Sequence, residues 1–438
     1  MIRAACLLIL FALPAHGDLP LPGNAPFFPA QNPEQVRLGR LLFYDPILSG
    51  SRQVSCASCH HPAFGTSDAL SLGLGDGARG LGPDRRPDPE NMPEQRIPRN
   101  SQALFNLGAA EFTHLFHDGR LEVDPARPSG LRTPLEDEMV QGFSGALSAQ
   151  NMFPVLSPDE MAGHYGESDV SVAVRRGMLT GEGGAWDIVA KRVAAIPAYR
   201  AAFDRVIGAE TPIRFTDISN ALAAFIAWEW RADDSPFDRY LRKGTPLPED
   251  AAAGMALFYG KAGCADCHSG RFQTDHDFHA IAMPQIGPGK VERFESHQRD
   301  VGRMRVTGRA EDAYRFRTPS LRNVTATPPY GHAGAYDTLM AVIRHHLDPV
   351  ASLSAYERAQ AVLPPLPGAA PDFTVMDTPE DLAAIAAANE LALQELSDSE
   401  IAQLIAFLGS LTDRASLAGR LGVPDEVPSG LPVERPEN

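Results

Sequence analysis

Two short segments decide how this chain folds: Cys56-Ala-Ser-Cys59-His60 in its first half and Cys264-Ala-Asp-Cys267-His268 in its second. The chain has 5 cysteines, and apart from Cys6 every one belongs to one of these segments. Four cysteines in an exported protein can form disulfides, and Cys-x-x-Cys pairs can bind zinc or carry out redox chemistry. A histidine directly after each pair favours instead the attachment signature of a c-type haem.

The spacing within each segment fits the chemistry of haem c. Two thiols can form thioether bonds to the haem vinyl groups, and the adjacent histidine is then held under the iron as its proximal ligand. We therefore expect two covalently bound haem c groups, with His60 and His268 as proximal iron ligands. The thiols expected to carry them are Cys56, Cys59, Cys264 and Cys267.

Residues 1–17 have the features of a secretory signal peptide. Arg3 gives a positive start, residues 4–13 form an apolar run, and Ala15-His16-Gly17 is a small-x-small cleavage site. The run is too short to span a bilayer, and no later stretch is apolar enough for a membrane helix. The sequence predicts a signal peptide, no membrane span and a periplasmic location; a buried first helix is the alternative.

The composition is that of a folded protein with long connections. The 438 residues are 44% hydrophobic and 21% charged, which argues against global disorder. The 38 glycines and 38 prolines exceed their usual share, so long irregular loops are expected. A formal net charge of -16 disfavours binding to the phosphate backbone of a nucleic acid, so no nucleic-acid partner is expected.

A similar stretch precedes each cysteine segment. Gly39-Arg-Leu-Leu-Phe-Tyr44 and Gly254-Met-Ala-Leu-Phe-Tyr259 both predict a helix with Leu and Phe on one side, followed by a loop. Chance similarity between two amphipathic helices is the alternative. Further helices are predicted over residues 217–231 and 398–411, the latter with a capping box of Ser397 and Glu400.

These patterns predict a mainly α fold. The Gly/Pro-rich residues 71–98 and 283–290, together with 363–373, indicate loops. We expect two tandem c-type cytochrome-like haem domains with long irregular loops, an N-terminal domain over residues 18–240 and a C-terminal domain over 241–438.

Several motifs carry a resemblance to a known family. The chain resembles the bacterial di-haem cytochrome c peroxidase/MauG superfamily over most of its length, with MbnH-like members as plausible near relatives. Together the motifs are specific, although each alone is weak. Besides the two cysteine segments they are Leu42-Phe-Tyr-Asp-Pro46, Arg99-Asn-Ser101, Asp118-Gly-Arg120, Ser157-Pro-Asp-Glu-Met161, Ser235-Pro-Phe-Asp-Arg-Tyr-Leu241, Arg317-Thr-Pro-Ser-Leu-Arg-Asn323 and Thr327-Pro-Pro-Tyr330.

The resemblance implies that the N-terminal haem reacts with peroxide. Glu160 matches the family glutamate above that haem, and Gln150 matches a distal glutamine. Cleavage of bound peroxide needs a proton moved from one oxygen to the other, which a positioned carboxylate can do. The alternative for Glu160 is an acid at a helix start after Pro158, stabilised by the helix dipole.

The resemblance also implies a six-coordinate second haem. Its distal ligand would be His346, where relatives have Met or Tyr; His345, Met304 and Met340 are the alternatives. Met ligation raises the reduction potential, whereas a second imidazole should leave it lower. Paired histidines therefore favour storing an oxidising equivalent after peroxide attack, which is MauG-like chemistry.

Two further site assignments come from the family. His117 stands where relatives have a tryptophan relay between the haems, and imidazole is much harder to oxidise, so relay through this position is in doubt. Asn100 matches the side-chain donor of a calcium ion, and Thr327 and Pro329 match its carbonyl donors, which suit calcium.

Three functions follow as expectations. The first is a di-haem peroxidase that reduces hydrogen peroxide with electrons drawn through the second haem from a cytochrome, a cupredoxin or another protein. The second is MauG/MbnH-like, peroxide-dependent oxidation of side chains in a partner protein. The third is a non-catalytic di-haem electron carrier, which would have strong ligands on both sides of both irons.

Overall fold

The first helix among the described residues is α1 (Pro33–Tyr44), whose first turn is capped by the Asn32 side chain accepting from the Glu34 amide. The structure is a computed structural model that describes residues 19–23, 28–291 and 295–436. The signal peptide expected over residues 1–17 lies outside the described residues.

Helices dominate the described residues, as predicted. After α1 they are α2 (Ala146–Gln150), α3 (Asp169–Arg175), α4 (Ala185–Ala194), α5 (Pro197–Ile207), α6 (Phe215–Glu229), α7 (Pro236–Lys243), α8 (Glu249–Phe258), α9 (Met304–Thr307), α10 (Leu339–Leu347), α11 (Pro349–Ser354), α12 (Pro379–Ala387), α13 (Asp398–Ser410) and α14 (Arg414–Ala418). The helices predicted over 217–231 and 398–411 are α6 and α13, and the capping box of Ser397 and Glu400 is present.

The strands are short and antiparallel, and they lie within the loops. β1 (Ala78–Arg79) pairs with β2 (Arg86–Pro87) inside the predicted 71–98 loop. β3 (His114–Leu115), β4 (Leu121–Val123) and β5 (Leu131–Arg132) form a three-stranded sheet in that order. β6 (Phe278–His279) pairs with β7 (Phe316–Arg317). No helix in the described residues combines the length and hydropathy needed to cross a bilayer.

The same helix contact occurs twice. α1 packs against α6, and α8 packs against α13. A Cβ added to Gly39 would lie 1.8 Å from the carbonyl oxygen of Ala221, and one added to Gly254 would lie 1.8 Å from that of Gln403. The two glycines of the similar stretches therefore let the paired helices meet backbone to backbone.

Aromatic side chains repeat in the same way beside these contacts. Phe43 of α1 lies 5.4 Å from Phe225 of α6, between ring centroids, and Phe258 of α8 lies 5.1 Å from Phe407 of α13. All four rings are almost fully buried. Burying such a ring contributes about 1.5–3 kcal/mol, so each pair anchors its part of the core. The domain division at residue 240 stays a prediction.

Replacing Gly254 by Ala is expected to lower the free energy of unfolding by about 1–3 kcal/mol, because the added methyl group has no room against the Gln403 carbonyl. Gly409→Ala on the partner helix α13 is the matched control. Its methyl group meets no atom within 4 Å, so helix propensity should raise stability by about 0.5–1 kcal/mol. Denaturant unfolding measures both, and an unchanged midpoint for Gly254→Ala would contradict the close contact.

The segment after α14 returns to the first half of the chain. Glu229 at the end of α6 accepts hydrogen bonds from the amides of Leu421 and Gly422. Val427 is buried in the same core cluster as α1 and α6. Further along, the Ser58 hydroxyl donates to the Glu434 carboxylate. The terminal segment (residues 419–436) thus covers the loop that carries Cys56 and Cys59.

Candidate active site

Both cysteine segments adopt the same local structure. A single turn at Cys56–Ser58 is closed by the His60 amide donating to the Cys56 carbonyl, at 3.0 Å. A turn at Cys264–Asp266 is closed by the His268 amide donating to the Cys264 carbonyl, at 2.9 Å. The four thiols are not joined in disulfides. Each turn therefore presents two thiols and the following imidazole from one short loop.

The two imidazoles are oriented by carbonyl oxygens. His60 Nδ1 lies 3.0 Å from the Thr66 oxygen, and His268 Nδ1 lies 3.1 Å from the Gln273 oxygen. A carbonyl only accepts, so Nδ1 carries the hydrogen and Nε2 keeps its lone pair. Burial lowers the pKa of His60. Burial also lowers the pKa of His268 to about 4, with a smaller contribution from the nearby His346. Both imidazoles are therefore uncharged, and the Nε2 atom of each has a lone pair that can bind iron.

A cavity of about 550 Å³ adjoins the second cysteine segment. Cys264, Cys267 and His268 line it together with His346 of α10. His346 Nδ1 is 2.8 Å from the Val342 carbonyl, so its Nε2 also keeps a lone pair. The size is that of cavities that hold cofactors, and the donor set fits a haem with two axial imidazoles.

The other candidate ligands for this site differ from His346. His345 is fully buried, and both of its ring nitrogens are engaged, Nδ1 by the Tyr336 hydroxyl at 2.9 Å and Nε2 by the Ile281 carbonyl at 2.8 Å. Neither Met304 nor Met340 is among the described residues that line the cavity. Of the four alternatives, His346 alone combines a free nitrogen with a place in the cavity wall.

Glu160 is not among the described residues that line this cavity. It lies in a five-residue π-helical turn, Pro158–Ala162, and its carbonyl accepts from the Asp76 amide at 2.9 Å. Burial lowers the pKa of His60, and the Glu160 charge partly opposes this, after the Thr66 hydrogen bond. The Glu160 charge also raises the pKa of the Cys59 thiol, after larger effects of burial, Arg85 and Asp68. The carboxylate is therefore electrostatically coupled to the first imidazole.

Gln150 and His117 are two further predicted site residues. Both line the cavity of the second site. Gln150 ends α2, and its side-chain oxygen is buried without a hydrogen-bond partner among the described residues. Such an atom marks a place for a ligand or water. Burial and the nearby Arg99 hold the pKa of His117 well below its usual value, so this imidazole is neutral.

A buried ion-pair network lies beside His117, and the sequence did not predict which residues form it. Arg99 Nη1 lies 2.7 Å from Asp118 Oδ2, and Arg99 Nε lies 2.7 Å from Asp300 Oδ2. Burial raises the pKa of Asp118, but Arg99 and Arg120 lower it more, so the carboxylate stays ionised. Asp300 is 201 positions from Arg99, a distance along the chain that no local pattern signals.

The residues predicted to bind calcium lie beside one cavity. Asn100, Thr327 and Pro329 all line the same cavity. The Asn100 amide nitrogen donates to the Leu70 carbonyl at 2.7 Å, and its backbone amide donates to the His332 carbonyl at 2.8 Å. His332 in turn stacks on Phe316, with centroids 3.7 Å apart. Residues from two distant segments thus line one cavity, and calcium binding stays a prediction.

Comparison with known proteins gives consistent results. Residues 33–245 match the sequence profile of the di-haem cytochrome c peroxidases. The chain is 33% identical to the methylamine utilization protein MauG of Methylorubrum extorquens, over 72% of this chain and 69% of that protein. It is 27% identical to the cytochrome c551 peroxidase of Nitrosomonas europaea, over 78% and 83% of the two chains.

A solved structure shares the fold. The crystal structure of a MauG-like protein associated with microbial copper homeostasis superposes with a TM-score of 0.57 at 24% identity, over 93% of this chain and 97% of that one. Membership of a di-haem family implies haem cofactors. The profile match and the similarity to MauG together show that the chain belongs to the di-haem cytochrome c peroxidase family and is an oxidoreductase of that family.

Proposed function

We propose that this protein holds two haem c groups covalently, reduces hydrogen peroxide at the first and draws electrons through the second from a cytochrome, a cupredoxin or another protein. The observation that carries the proposal is the different partner of each proximal imidazole. His268 has a second imidazole, His346, in the same cavity wall. His60 has the carboxylate of Glu160 in its electrostatic field. This difference favours a second haem held by two histidines and a first haem open to peroxide.

The residues proposed to hold the cofactors are those with free donor atoms. Cys56, Cys59 and His60 would hold the first haem, and Cys264, Cys267, His268 and His346 the second. Haem iron supplies, when bound, the redox chemistry by which the peroxide O–O bond is cleaved. Asn100, Thr327 and Pro329 would supply oxygen atoms to a calcium ion.

The chain's own part in the reaction is proton transfer. Glu160 accepts a proton from one peroxide oxygen and returns it to the other, which leaves as water. We propose that Gln150 orients peroxide or water through its unpartnered side-chain oxygen, although the structure places this residue in the wall of the cavity that adjoins the second cysteine segment. Two electrons and two further protons complete the conversion of peroxide to two waters.

We propose that electrons cross the region around His117. His117 lies in the cavity wall where relatives have a tryptophan, but neutral imidazole is hard to oxidise, so we propose that electrons pass by it mainly by tunnelling. The Arg99 network holds the His117 segment in place, because Asp118 is the next residue and is ion-paired. We also propose an N-terminal haem domain over residues 18–240 and a C-terminal haem domain over residues 241–438. Residues 1–17 would direct export to the periplasm.

A second candidate function is oxidation of side chains in a partner protein. The specific observation in its favour is His346, because two imidazoles leave a haem at lower potential than a Met ligand does and so favour storage of oxidising equivalents. The similarity to MauG, at 33% identity, agrees with it.

The test uses the purified full-length protein. A pyridine haemochrome assay should give two haem c per chain, and EPR of the oxidised protein should give one low-spin iron and one iron with an open or weakly held position. Hydrogen peroxide should then be consumed with a reduced small cytochrome as donor. Two low-spin irons and no reaction with peroxide would establish the electron carrier instead; reaction without oxidation of small donors would favour the second candidate.

A further inference from the structure

Arg317 is a buried arginine in the wall of the cavity that adjoins the second cysteine segment. It is 7% exposed. It belongs to β7, which pairs with β6, and its backbone amide donates to the carbonyl of His117 at 2.7 Å. Backbone hydrogen bonds therefore fix the start of this side chain beside His117.

The guanidinium of Arg317 has hydrogen bonds but, among the described residues, no counter-ion. Its Nε donates to the Phe116 carbonyl at 3.2 Å, and its Nη1 donates to the Thr318 carbonyl at 3.3 Å. A guanidinium has five N–H groups, so donors remain for a further ligand. In the part of the chain that the structure describes, no carboxylate oxygen lies within 4 Å of it. Burial lowers the pKa of Arg317 to about 10.

Two other buried arginines have the acidic partner that Arg317 lacks. Arg99 Nη1 lies 2.7 Å from Asp118 Oδ2. Arg322, which lines the same cavity as Arg317, has Asp238 at 2.8 Å. A buried charge is costly unless an opposite charge pairs with it. The ligand that fills the cavity is therefore expected to bring a negative charge to Arg317.

A haem in this cavity carries such a charge. Haem has two propionate carboxylates on the edge opposite its two vinyl groups. The thioether bonds proposed for Cys264 and Cys267 would hold the vinyl edge, so the carboxylates point away from these thiols. Arginine suits such a ligand, because two of its N–H groups can donate in parallel to the two oxygens of one carboxylate.

We propose that Arg317 binds a propionate carboxylate of the second haem and thereby sets the orientation of that haem, with its propionate edge toward His117. This assignment rests on the proposed function, which places haem c on Cys264 and Cys267. It adds a positioning residue on the side of the haem opposite the two cysteines.

The electrostatics of His117 agree with this orientation. Burial, Arg99 and His332 lower the pKa of His117 most, and the charge of Arg317 lowers it further. The guanidinium is therefore close enough to act on the imidazole. A propionate bound to Arg317 brings the edge of the second haem to the residue that occupies the relay position.

The ion pair also affects the reduction potential of the second haem. A positive charge close to a haem favours the state that has one more electron, and a buried site screens this effect poorly. Two axial imidazoles leave the potential lower than a Met ligand does. By neutralising a propionate, Arg317 raises that potential again, so the second haem accepts electrons from a protein donor more readily.

The test is a redox titration of the haem-loaded, full-length protein, followed through the absorbance of the low-spin haem. Arg317→Gln should lower the ratio of reduced to oxidised haem at a given potential at least tenfold, which is about 59 mV for one electron. Arg317→Lys keeps the charge and should retain most of the potential. Arg344→Gln is the matched control on α10 and should leave the potential unchanged, because its side chain is 56% exposed and solvent screens its charge.

Resonance Raman spectra test the contact itself, because the bending mode of a haem propionate responds to hydrogen bonding at its carboxylate. The band should shift in Arg317→Gln and stay in place in Arg344→Gln. A lower potential without a shift of this band would mean that Arg317 acts through its charge from a distance, which overturns the proposed binding. An unchanged potential in Arg317→Gln would overturn it as well.

Haem content separates failure of this assignment from failure of the proposed function. If a pyridine haemochrome assay finds two haem c in the unchanged protein, either negative result refutes the role of Arg317 alone. Absence of the second haem refutes the proposed function and the role of Arg317 with it. If Arg317→Gln does not take up the second haem, a crystal structure of the unchanged, loaded protein decides. A guanidinium more than about 4 Å from every propionate oxygen would contradict the contact.

Discussion

Replacement of Glu160 by Gln is expected to slow the reaction of the first haem with hydrogen peroxide by about 10²–10⁴-fold, the usual contribution of a positioned general acid–base. Glutamine fills the same space but cannot accept a proton from peroxide. The turn around Glu160 is held by backbone hydrogen bonds to Ser157 and Asp76, which the substitution leaves intact. Stopped-flow recording of the haem absorbance after mixing with peroxide measures the rate.

The matched control is Asp159→Asn, which removes the same charge one residue earlier. Asp159 accepts a hydrogen bond from Gln95 Nε2 at 2.7 Å, and an asparagine oxygen can accept it too. Its rate should stay close to that of the unchanged protein. Equal slowing in both variants would mean that Glu160 acts through its charge alone, and no slowing in Glu160→Gln would remove its catalytic role.

Replacement of His346 by Ala is expected to convert the second iron from low-spin to high-spin, with complete loss of its low-spin EPR signal. The proximal His268 would be the one axial imidazole left at that site, and free imidazole added to the solution should restore the low-spin signal. Since the Tyr336 and Ile281 groups engage both nitrogens of His345, this neighbour has no lone pair to offer in place of His346.

Substitution of the neighbouring histidine separates ligation from general damage to α10. His345→Gln should retain the low-spin signal of the second iron, even though it loses the hydrogen bonds of a buried imidazole. Persistence of the low-spin signal in His346→Ala, together with its loss in His345→Gln, would move the axial ligand to His345.

Local patterns predicted the elements that position the sites. The cysteine segments, the capping box at Ser397 and the repeated glycine of α1 and α8 are all signals within a few residues. The repeat predicted two helices with Leu and Phe on one side, and the structure adds that each of them packs against a later helix. These features could be predicted from the sequence because each depends only on residues that are close together in the chain.

Features that depend on distant segments were not predictable from one sequence. Arg99 pairs with Asp300 across 201 positions, and a single chain offers no pattern that links such residues. Likewise, the difference between His345 and His346 rests on the Tyr336 hydroxyl and the Ile281 carbonyl, whose positions follow from tertiary packing. The residue types identified His345 and His346 as candidate ligands, but only the tertiary structure shows which of their ring nitrogens are hydrogen-bonded.

The terminal segment has a consequence for biogenesis. Ser58 stands between Cys56 and Cys59, and the carboxylate it bonds belongs to Glu434, 376 positions later. Because a polypeptide is synthesised from its N-terminus, the loop that carries Cys56 and Cys59 exists long before Glu434 does. The contact between Ser58 and Glu434 can therefore form only once nearly the whole chain has been made.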